Sequence, residues 1–304
     1  MRWWRRARAG GRAQGPAPAE PDREPGHVAG DPSAGEAGRG SPAGEPDRGS
    51  AGVPGLASYK ELALEMTSTA ENSTLDWTTA YGYIEDIDDG RGYTGGLVGF
   101  CSGTADMLAL VRRYAGRAPS NPLAPYLEAL TAIVAAPYAR RAKLSHRLLD
   151  PGFVPAWRAA ANDPAFRQAQ RDLRDQLYWA PALEAARADG AGALGLAIYY
   201  DVSVNHGPGE DRESFGGILR TARAARPTPA AGGDEARYLA AVVDARAAVL
   251  KEWGDLQPDG RVAAHRALLA TGNLGLVPPV SWSMYGDRFT VPAWPAPPSE
   301  ERGA

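Results

Sequence analysis

Residues 76–100 read DWTTAYGYIEDIDDGRGYTGGLVGF, and this stretch differs in texture from the sequence on either side. Aromatic and β-branched residues are interspersed here with glycines, a pattern typical of short strands joined by tight turns. The apolar residues before it recur at helical spacing: Tyr59, Leu62, Ala63, Met66 and Ala70. They predict a helix that ends near Glu71, followed directly by a small β region.

The sequence after this stretch returns to helical patterning. Asp163 followed by Pro164 is typical of an N-cap and the first helical position. The run Ala191–Tyr200 is apolar nearly all round, which suits a buried central helix, and the breaker His206–Gly209 follows it. Apolar stripes predict further helices around 107–114, 166–177, 239–253 and 262–270. We therefore predict a mainly α (α+β) fold with a small β region and a central buried helix.

The first 55 residues differ in composition from the rest of the chain. They hold 12 Gly and 8 Pro, and the first Leu of the sequence is Leu56. A stretch with so few large apolar residues cannot bury enough surface to offset its ordering entropy. We therefore predict a disordered extension over 1–55, a domain over 56–290 built as one large unit or two lobes, and a loose Pro-rich tail over 291–304.

The predicted folded part carries a mild negative charge. Residues 56–304 hold 25 basic and 29 acidic side chains, a net charge of −4. Nucleic-acid binders present a basic face, so we expect no nucleic acid as a partner. No apolar run reaches the roughly 18 residues of a transmembrane helix, so we expect no membrane partner. Met1–Arg8 contains arginines without a following apolar segment, so no signal peptide is recognisable.

Residues 71–106 concentrate negative charge around a single basic residue, Arg91. The acidic side chains of this segment are Glu71, Asp76, Glu85, Asp86, Asp88, Asp89 and Asp106. Like charges this close repel each other unless a proton or a cationic ligand relieves them. The segment is therefore either a solvated acidic loop or a cleft lined for a polycation.

Other chemistries fit the same segment less well. Gly90–Gly95 has the glycine spacing of a dinucleotide fingerprint, but an acidic run precedes it where a pyrophosphate needs positive potential. A calcium loop starting at Asp86 would place Arg91 and Leu97 where a glycine and an acid belong. The four histidines are scattered without zinc spacing. A structural cation stays open, but the spacing favours neither a metal nor a cofactor.

Two of the acids have the setting that hydrolysis of a glycosidic bond needs. This reaction uses one carboxylic acid that protonates the leaving oxygen and one carboxylate that activates water or attacks the sugar. Glu71 at a helix end can be partly desolvated and keep its proton, whereas Asp89 in a Gly-rich loop can stay solvated and charged. Spacing alone leaves this assignment open beside the solvated-loop interpretation.

Several strings resemble, in order and spacing, glycoside hydrolase family 46, the chitosanases. They are Ala70–Ser73, Tyr83–Ile87, Asp89–Gly96, Gly99–Thr104, Phe166–Asp175, His206–Gly209, Ser214–Ile218, Gly232–Glu235, Asp244–Arg246 and Gly272–Leu274. The resemblance covers about residues 57–290. It implies a lysozyme-like fold with two lobes around a cleft, and cofactor-free, endo-acting hydrolysis of β-1,4 bonds in chitosan with inversion.

The resemblance also implies roles for individual residues. Glu71 matches the general acid, Asp89 the general base, and Thr94 the residue that helps hold the attacking water. Asp106 matches a residue that recognises a glucosamine ammonium group. Arg91 lies in the same motif, where it can tune the carboxylates and bind substrate. An inverting pair of carboxyl groups lies roughly 6.5–9.5 Å apart, which leaves room for the water.

Tyr83 and a buried ion pair complete the predicted site. Tyr83 is a candidate to support a sugar ring, with a place in the core as the alternative. Arg246 shares the apolar face of its helix, and a buried arginine needs a carboxylate partner, for which Asp172 is our candidate. The resemblance implies an arginine–aspartate network behind the active site, and a purely structural ion pair is equally compatible with the pattern.

The expected partner is chitosan or its oligosaccharides, bound by a monomer. Family resemblance implies an extracellular enzyme, although the sequence shows no recognisable signal peptide. Two alternatives stay open: a non-catalytic carbohydrate-binding protein on this fold, and a lysozyme-like hydrolase of another amino-sugar polymer. The segment Ala135–Arg147 is richer in arginine and alanine than the family pattern, and the sequence offers no physical reason for it.

Overall fold

A computed structural model describes residues 55–296, and most of them are helical. The helices of this part are α1 Leu56–Asn72, α2 Ala105–Arg117, α3 Leu127–Ala135, α4 Tyr138–Leu149, α5 Phe153–Ala160, α6 Pro164–Arg174, α7 Ala180–Asp189, α8 Ala193–His206, α9 Phe215–Ala225, α10 Glu235–Glu252 and α11 Arg261–Ala270. The strands are β1 Ile84–Asp86, β2 Tyr93–Gly95, β3 Phe100–Cys101, β4 Val280–Met284 and β5 Asp287–Val291. The predicted mainly α fold with a small β region is confirmed.

The first hydrophobic core surrounds α8. Leu194, Ile198 and Val202 of this helix are fully buried, because its sequence is apolar on every face. Helices α1, α7, α9, α10 and α11 and the β4–β5 hairpin supply the other apolar side chains of this core. The predicted central buried helix is therefore confirmed, and it ends at His206, where Gly207 leaves the helical conformation.

The second hydrophobic core lies under the small sheet. Strands β1, β2 and β3 pair antiparallel in that order, with Thr94 opposite Glu85 on one side and Cys101 on the other. Phe100, Trp157 and Phe166 are fully buried there, and α2, α3, α4, α5 and α6 contribute the rest. A glycine is required at position 95, because a Cβ there would lie 2.8 Å from the Tyr83 carbonyl oxygen.

One long helical segment joins the two cores. Phe166 and Leu173 of α6 belong to the second core, whereas Ala182 and Ala186 of α7 belong to the first. Between them, Asp175–Trp179 form a π-helical turn that keeps the backbone continuous. The described residues therefore pack around two hydrophobic cores that one helical segment joins.

Asp163 caps α6, as the Asp-Pro pair predicts. Its Oδ1 accepts a hydrogen bond from the Ala165 backbone N–H at 2.8 Å, and its Oδ2 accepts one from the hydroxyl of buried Tyr114 at 2.6 Å. We expect Asp163→Ala to lower the free energy of unfolding by about 2 kcal/mol, because it removes a cap and leaves a buried hydroxyl unpaired. Urea unfolding measures this change.

A second capping aspartate provides the control for this prediction. Asp234 caps α10 through one hydrogen bond from the Arg237 N–H at 2.9 Å, in an exposed setting. Asp234→Ala should therefore cost only about 1 kcal/mol. Equal losses for the two variants would contradict a separate contribution from the Tyr114 hydrogen bond.

The C-terminal part is more ordered than predicted. Side chains of Val280–Met284 alternate between buried and exposed, and this strand pairs with β5 around a turn at Tyr285 and Gly286, both of which have positive φ. Trp294 then packs edge-on against Tyr59, with 5.0 Å between ring centroids. Of the predicted loose tail, Val291 is the last residue of β5 and Trp294 contacts Tyr59 of α1.

Both ends of the predicted domain layout reach beyond the part of the chain that the structure describes. Residues 1–54 of the predicted extension and residues 297–304 of the predicted tail lie outside it. Within residues 55–296, no helix has both the length and the apolar character needed to cross a bilayer.

Candidate active site

Glu71 lies in the last turn of α1, where the helix ends because Ser73 takes a left-handed conformation with φ of 54°. Its side chain is 15% exposed. A small cavity beside it is lined by Thr67 and Ser68 of α1 and, from the turn between β2 and β3, by Leu97 and Val98. The end of α1 in the first core therefore faces the small sheet that covers the second core.

Arg261, at the start of α11, forms a hydrogen bond with Glu71. One terminal nitrogen of its guanidinium donates to Oε1 of Glu71, and the other donates to Oδ1 of Asp201. The second oxygen of Asp201 accepts a hydrogen bond from Arg246 at 2.6 Å. Arg246 also donates to Oδ1 of Asn205 at 2.7 Å. The guanidinium of Arg261 thus links the carboxylate of Glu71 to a buried ionic network.

The side chains of this network are almost completely buried, so their charges interact strongly with one another. Burial alone would raise the pKa of Asp201, but the Arg261 and Arg246 guanidiniums hold it well below its ordinary range. Burial lowers the pKa of His265, whose Nε2 lies 3.6 Å from Asp201, to about 4, so this imidazole is neutral at neutral pH. Ionised Asp201 is therefore the central charge between two buried cations.

The predicted pairing of Arg246 with Asp172 is wrong. Arg246 lies on α10 in the first core, where Asp201 of α8 is its carboxylate partner. Asp172 lies on α6 at the second core, where it accepts hydrogen bonds from Arg117 and from Gln168. The sequence correctly predicted that a buried arginine has a carboxylate partner. It could not predict which helix of the fold carries that carboxylate.

Asp89 lies in the loop between β1 and β2. Its Oδ2 accepts from Nε of Arg91 at 2.8 Å and lies 2.6 Å from a terminal nitrogen of the same guanidinium. Its Oδ1 accepts from the Arg91 backbone N–H at 2.9 Å. The loop turns sharply at Asp88, Gly90 and Gly92, whose φ angles are 59°, 85° and 74°. This tight turn presents Asp89 with a side chain 17% exposed and an orientation fixed by Arg91.

Asp106 lies in the first turn of α2, close to the same arginine. Its Oδ1 accepts from the backbone N–H groups of Cys101 (3.2 Å) and Met107 (3.0 Å) and from the Thr104 hydroxyl. Burial raises the pKa of Asp106 in spite of these contacts. Burial alone would lower the pKa of Arg91, but Cys101, Asp89 and Asp106 raise it above its ordinary value. Arg91 therefore stays charged between two carboxyl groups.

Thr94 and Tyr83 are both engaged within the protein. Thr94 is fully buried on β2, and its hydroxyl lies 3.3 Å from the Cys101 sulfur. The thiol of Cys101 donates to the Gly99 carbonyl, and burial raises its pKa to about 11, so it is a neutral thiol. The Tyr83 hydroxyl donates to Oε1 of Glu85 at 2.7 Å. Thr94 thus has no contact with bulk solvent here.

The predicted site residues fall into two groups, one at the small sheet and one at the end of α1. Asp89, Arg91, Thr94 and Asp106 form one group at the small sheet, and Tyr83 lies at the edge of the same sheet. Glu71 forms the other group, joined to Arg246 through Arg261 and Asp201. Asp172 belongs to neither group. Glu71 and Asp89 are therefore each paired with an arginine, Glu71 with Arg261 and Asp89 with Arg91.

Sequence reasoning missed Asp201 and Arg261. Asp201 directly follows the run Ala191–Tyr200, and a charge at the end of an all-apolar helix signals a buried ion pair. Arg261 immediately precedes the helix predicted from Val262, so its side chain was not considered part of the packed face. Both residues were recognisable as charges within apolar surroundings, although their partners were not.

Comparison with known proteins adds independent evidence on the family of this chain. A family model described as Glycosyl hydrolase family 46 matches residues 65–280. A chitosanase of Streptomyces sp. (strain N174) is 49% identical over 233 residues, which cover 76% of this chain and 81% of the relative. A chitosanase of Nocardioides sp. (strain N106) is 45% identical over 233 residues, with the same coverage.

Solved structures extend the agreement to three dimensions. A chitosanase co-crystallised with substrate superposes with a TM-score of 0.70 at 45% identity, covering 76% of this chain and 95% of the other. A Gynuella sunshinyii family 46 chitosanase in complex with chitotetraose gives a TM-score of 0.69 at 35% identity, covering 79% and 99%. The chain is therefore a glycoside hydrolase, and it belongs to glycosyl hydrolase family 46.

Proposed function

We propose that this protein is an endo-acting chitosanase that hydrolyses β-1,4 bonds between glucosamine units with inversion. The observation that carries the proposal is a pair of mostly buried carboxylates, Glu71 and Asp89, each held by an arginine. Relatives of 45–49% identity named chitosanases support the substrate class. A non-catalytic binding protein would have no use for two carboxylates held in this way.

The proposed reaction uses the two carboxyl groups in different protonation states. Glu71 gives its proton to the leaving glycosidic oxygen, while Arg261 fixes the orientation of the carboxyl group through Oε1. Asp89 accepts a proton from a water that attacks C1 of the sugar from the opposite face. The leaving sugar departs with the proton of Glu71, and Asp89 holds the proton of the water until solvent removes it.

Substrate choice follows from the charge of the cleft. Asp89 and Asp106 both act electrostatically on Arg91, on a chain whose residues 56–304 are net negative. A polymer of glucosamine carries ammonium groups, which such a cleft attracts and orients. Neutral, N-acetylated chitin lacks this attraction, so we expect chitosan to be the better substrate.

The activity can be tested with the purified chain and two polymers. We expect the viscosity of a chitosan solution to fall faster than reducing ends appear, since endo cleavage shortens long chains first. Soluble chitin of matched length should be cut at least about tenfold more slowly, given the loss of charge-assisted contacts. Equal rates on both polymers would overturn the proposed substrate, and binding without cleavage would overturn the proposed chemistry.

Asp106→Asn tests ammonium recognition separately from folding. Asparagine keeps the Oδ1 acceptor for the Cys101 and Met107 N–H groups but removes the charge. We expect kcat/KM on chitosan to fall about 10–100-fold, the value of a hydrogen bond to a charged group, with the unfolding midpoint almost unchanged. Asp287→Asn, on the exposed edge of β5, is the matched control. An unaltered kcat/KM for Asp106→Asn would remove this residue from the substrate site.

Water positioning by Thr94, ring support by Tyr83, a monomeric state and an extracellular location remain predictions. In this structure the Thr94 hydroxyl contacts the Cys101 sulfur. To position the attacking water, this hydroxyl must become accessible to that water when substrate is bound.

A further inference from the structure

The loop that carries Asp89 is fixed at both of its ends by contacts outside the loop. It spans residues 87–92, between Asp86 at the end of β1 and Tyr93 at the start of β2. At its first end, Oδ1 of Asp86 accepts a hydrogen bond from the Asp88 N–H at 2.7 Å. The conformation of the loop, and with it the position of Asp89, therefore depends on how Asp86 and Tyr93 are held.

Helix α4 supplies the holding groups. His146, in its last turn, lies with Nε2 2.7 Å from Oδ2 of Asp86 and with Nδ1 3.2 Å from Oδ2 of Asp150. The Tyr93 hydroxyl donates to the other oxygen of Asp150, and the Tyr93 and His146 rings lie 5.0 Å apart. One imidazole thus links the residue before the loop to the residue after it, and we call these four residues the His146 clamp.

The same helix is packed directly against the loop. A Cβ at Gly92 would come within 2.7 Å of the Ser145 hydroxyl oxygen, so the loop and α4 are in close contact there. The buried side chain of Arg141 donates to the carbonyls of Ala136 and Gly103, which fixes α4 to its surroundings. These contacts give a physical role to the arginine-rich segment Ala135–Arg147, for which the sequence offered none.

The clamp requires a charged imidazole. A neutral imidazole has one N–H, so it cannot donate to carboxylates at both nitrogens, whereas the protonated ring donates from both. Hydrogen bonding to Asp86 raises the pKa of His146, partial burial opposes this, and Asp150 adds to the increase. The titratable groups that face the ring are Asp86 from β1, Tyr93 from β2 and Asp150 after α4, while Lys143 and Arg147 of α4 are exposed.

We propose that His146 is a positioning residue for Asp89, and that its protonated form holds both ends of the 87–92 loop in the arrangement used for catalysis. The inference rests on the proposed role of Asp89 as general base. His146 touches neither the substrate nor the reacting atoms in this account, and it acts through Asp86 and the loop.

The direction of the pH effect follows from the sign of the pKa shift. A histidine whose pKa is raised in the folded protein holds its partners fully below its ordinary pKa of about 6.5 and loses them as the pH rises through the raised value. The clamp is therefore closed in acid and opens in alkali. Misplacing a catalytic group by about 1 Å costs up to about 100-fold in rate, so a loosened loop lowers kcat.

The test compares His146→Gln with the wild type on a soluble glucosamine hexasaccharide between pH 5 and 8.5. We expect the wild-type kcat to exceed that of the variant about tenfold at pH 5.5 and the ratio to fall toward one as the pH rises through the raised pKa of His146. Arg147→Gln, which removes an exposed charge at the next residue, should give a ratio near one throughout.

Two further variants separate the possible outcomes. Asp150→Asn removes the charge facing Nδ1 but keeps an acceptor for Tyr93, and it should reproduce the pH-dependent loss in weaker form. His146→Lys restores a permanent cation, and it should regain part of the kcat at alkaline pH. A ratio for His146→Gln that is constant with pH would overturn the proposal, because a purely structural residue has that effect. Full activity of Asp89→Asn would instead refute the base assignment on which it rests.

Discussion

Replacing Glu71 with glutamine is expected to lower the turnover of chitosan by about 10³-fold while the affinity for chitosan oligosaccharides stays within a few-fold of the wild type. Glutamine has the size of glutamate, and its amide oxygen can still accept the hydrogen bond from Arg261 that Oε1 accepts in the wild type. It cannot supply a proton to the leaving oxygen. The loss should therefore appear in kcat and leave binding intact.

Release of reducing ends measures the turnover, and calorimetric titration with a glucosamine hexasaccharide measures the affinity. Glu252→Gln is a suitable control, because Glu252 lies on the exposed end of α10 in a surface ion pair with Arg212. That variant should keep wild-type turnover. If Glu71→Gln retained even a tenth of the wild-type kcat, another group would have to be the acid.

Asp201→Asn is expected to lower the free energy of unfolding by about 3–5 kcal/mol, which corresponds to a Tm lower by roughly 10 °C in a domain of this size. The side chains of Arg246 and Arg261 are 0% and 2% exposed, so water cannot replace the lost carboxylate. The two buried cations would then lose the carboxylate that both of them contact. Chemical unfolding monitored by tryptophan fluorescence gives the free energy directly.

The pH dependence of this loss is also fixed by the structure. The pKa of Asp201 lies below its ordinary value, so its contribution is complete above about pH 4 and is lost as the pH falls through the lowered value. The difference between wild type and Asp201→Asn should therefore be constant from pH 5 to 8 and shrink only in stronger acid. Asp244→Asn breaks an exposed pair with Arg266 and should cost less than about 1 kcal/mol. Equal costs for the two variants would contradict the account of the buried network.

Local pattern was enough to predict the elements that carry the site. Helical spacing before Glu71 predicted α1, and the glycine-rich stretch after it predicted short strands, of which the structure has three. The sequence of the hairpin, Val280–Val291, also alternates between apolar and polar residues. The prolines around it made a strand pair hard to predict. The π-helical turn at Asp175–Trp179 has no local signal, because it depends on how α6 and α7 pack on different cores.

Long-range pairing was beyond what the sequence could predict. Burial of Arg246 follows from its place on an apolar helix face, yet its partner is set by the packing of α10 near α8, and Asp172 was the wrong choice. The link from Glu71 to Arg261 joins residues 190 positions apart, and no local pattern indicates it. Residue types thus predicted the chemistry, whereas the three-dimensional contacts determined which arginine orients which carboxylate.

The central claim is that Glu71 and Asp89 act as the acid and base of an inverting hydrolysis of chitosan. NMR of the anomeric protons of the products in the first minutes of cleavage, with Glu71→Gln run in parallel, tests it most directly. We predict that the α-anomer appears first for the wild type and that no early product forms with the variant. An initial β-anomer would contradict inversion and indicate a covalent intermediate instead.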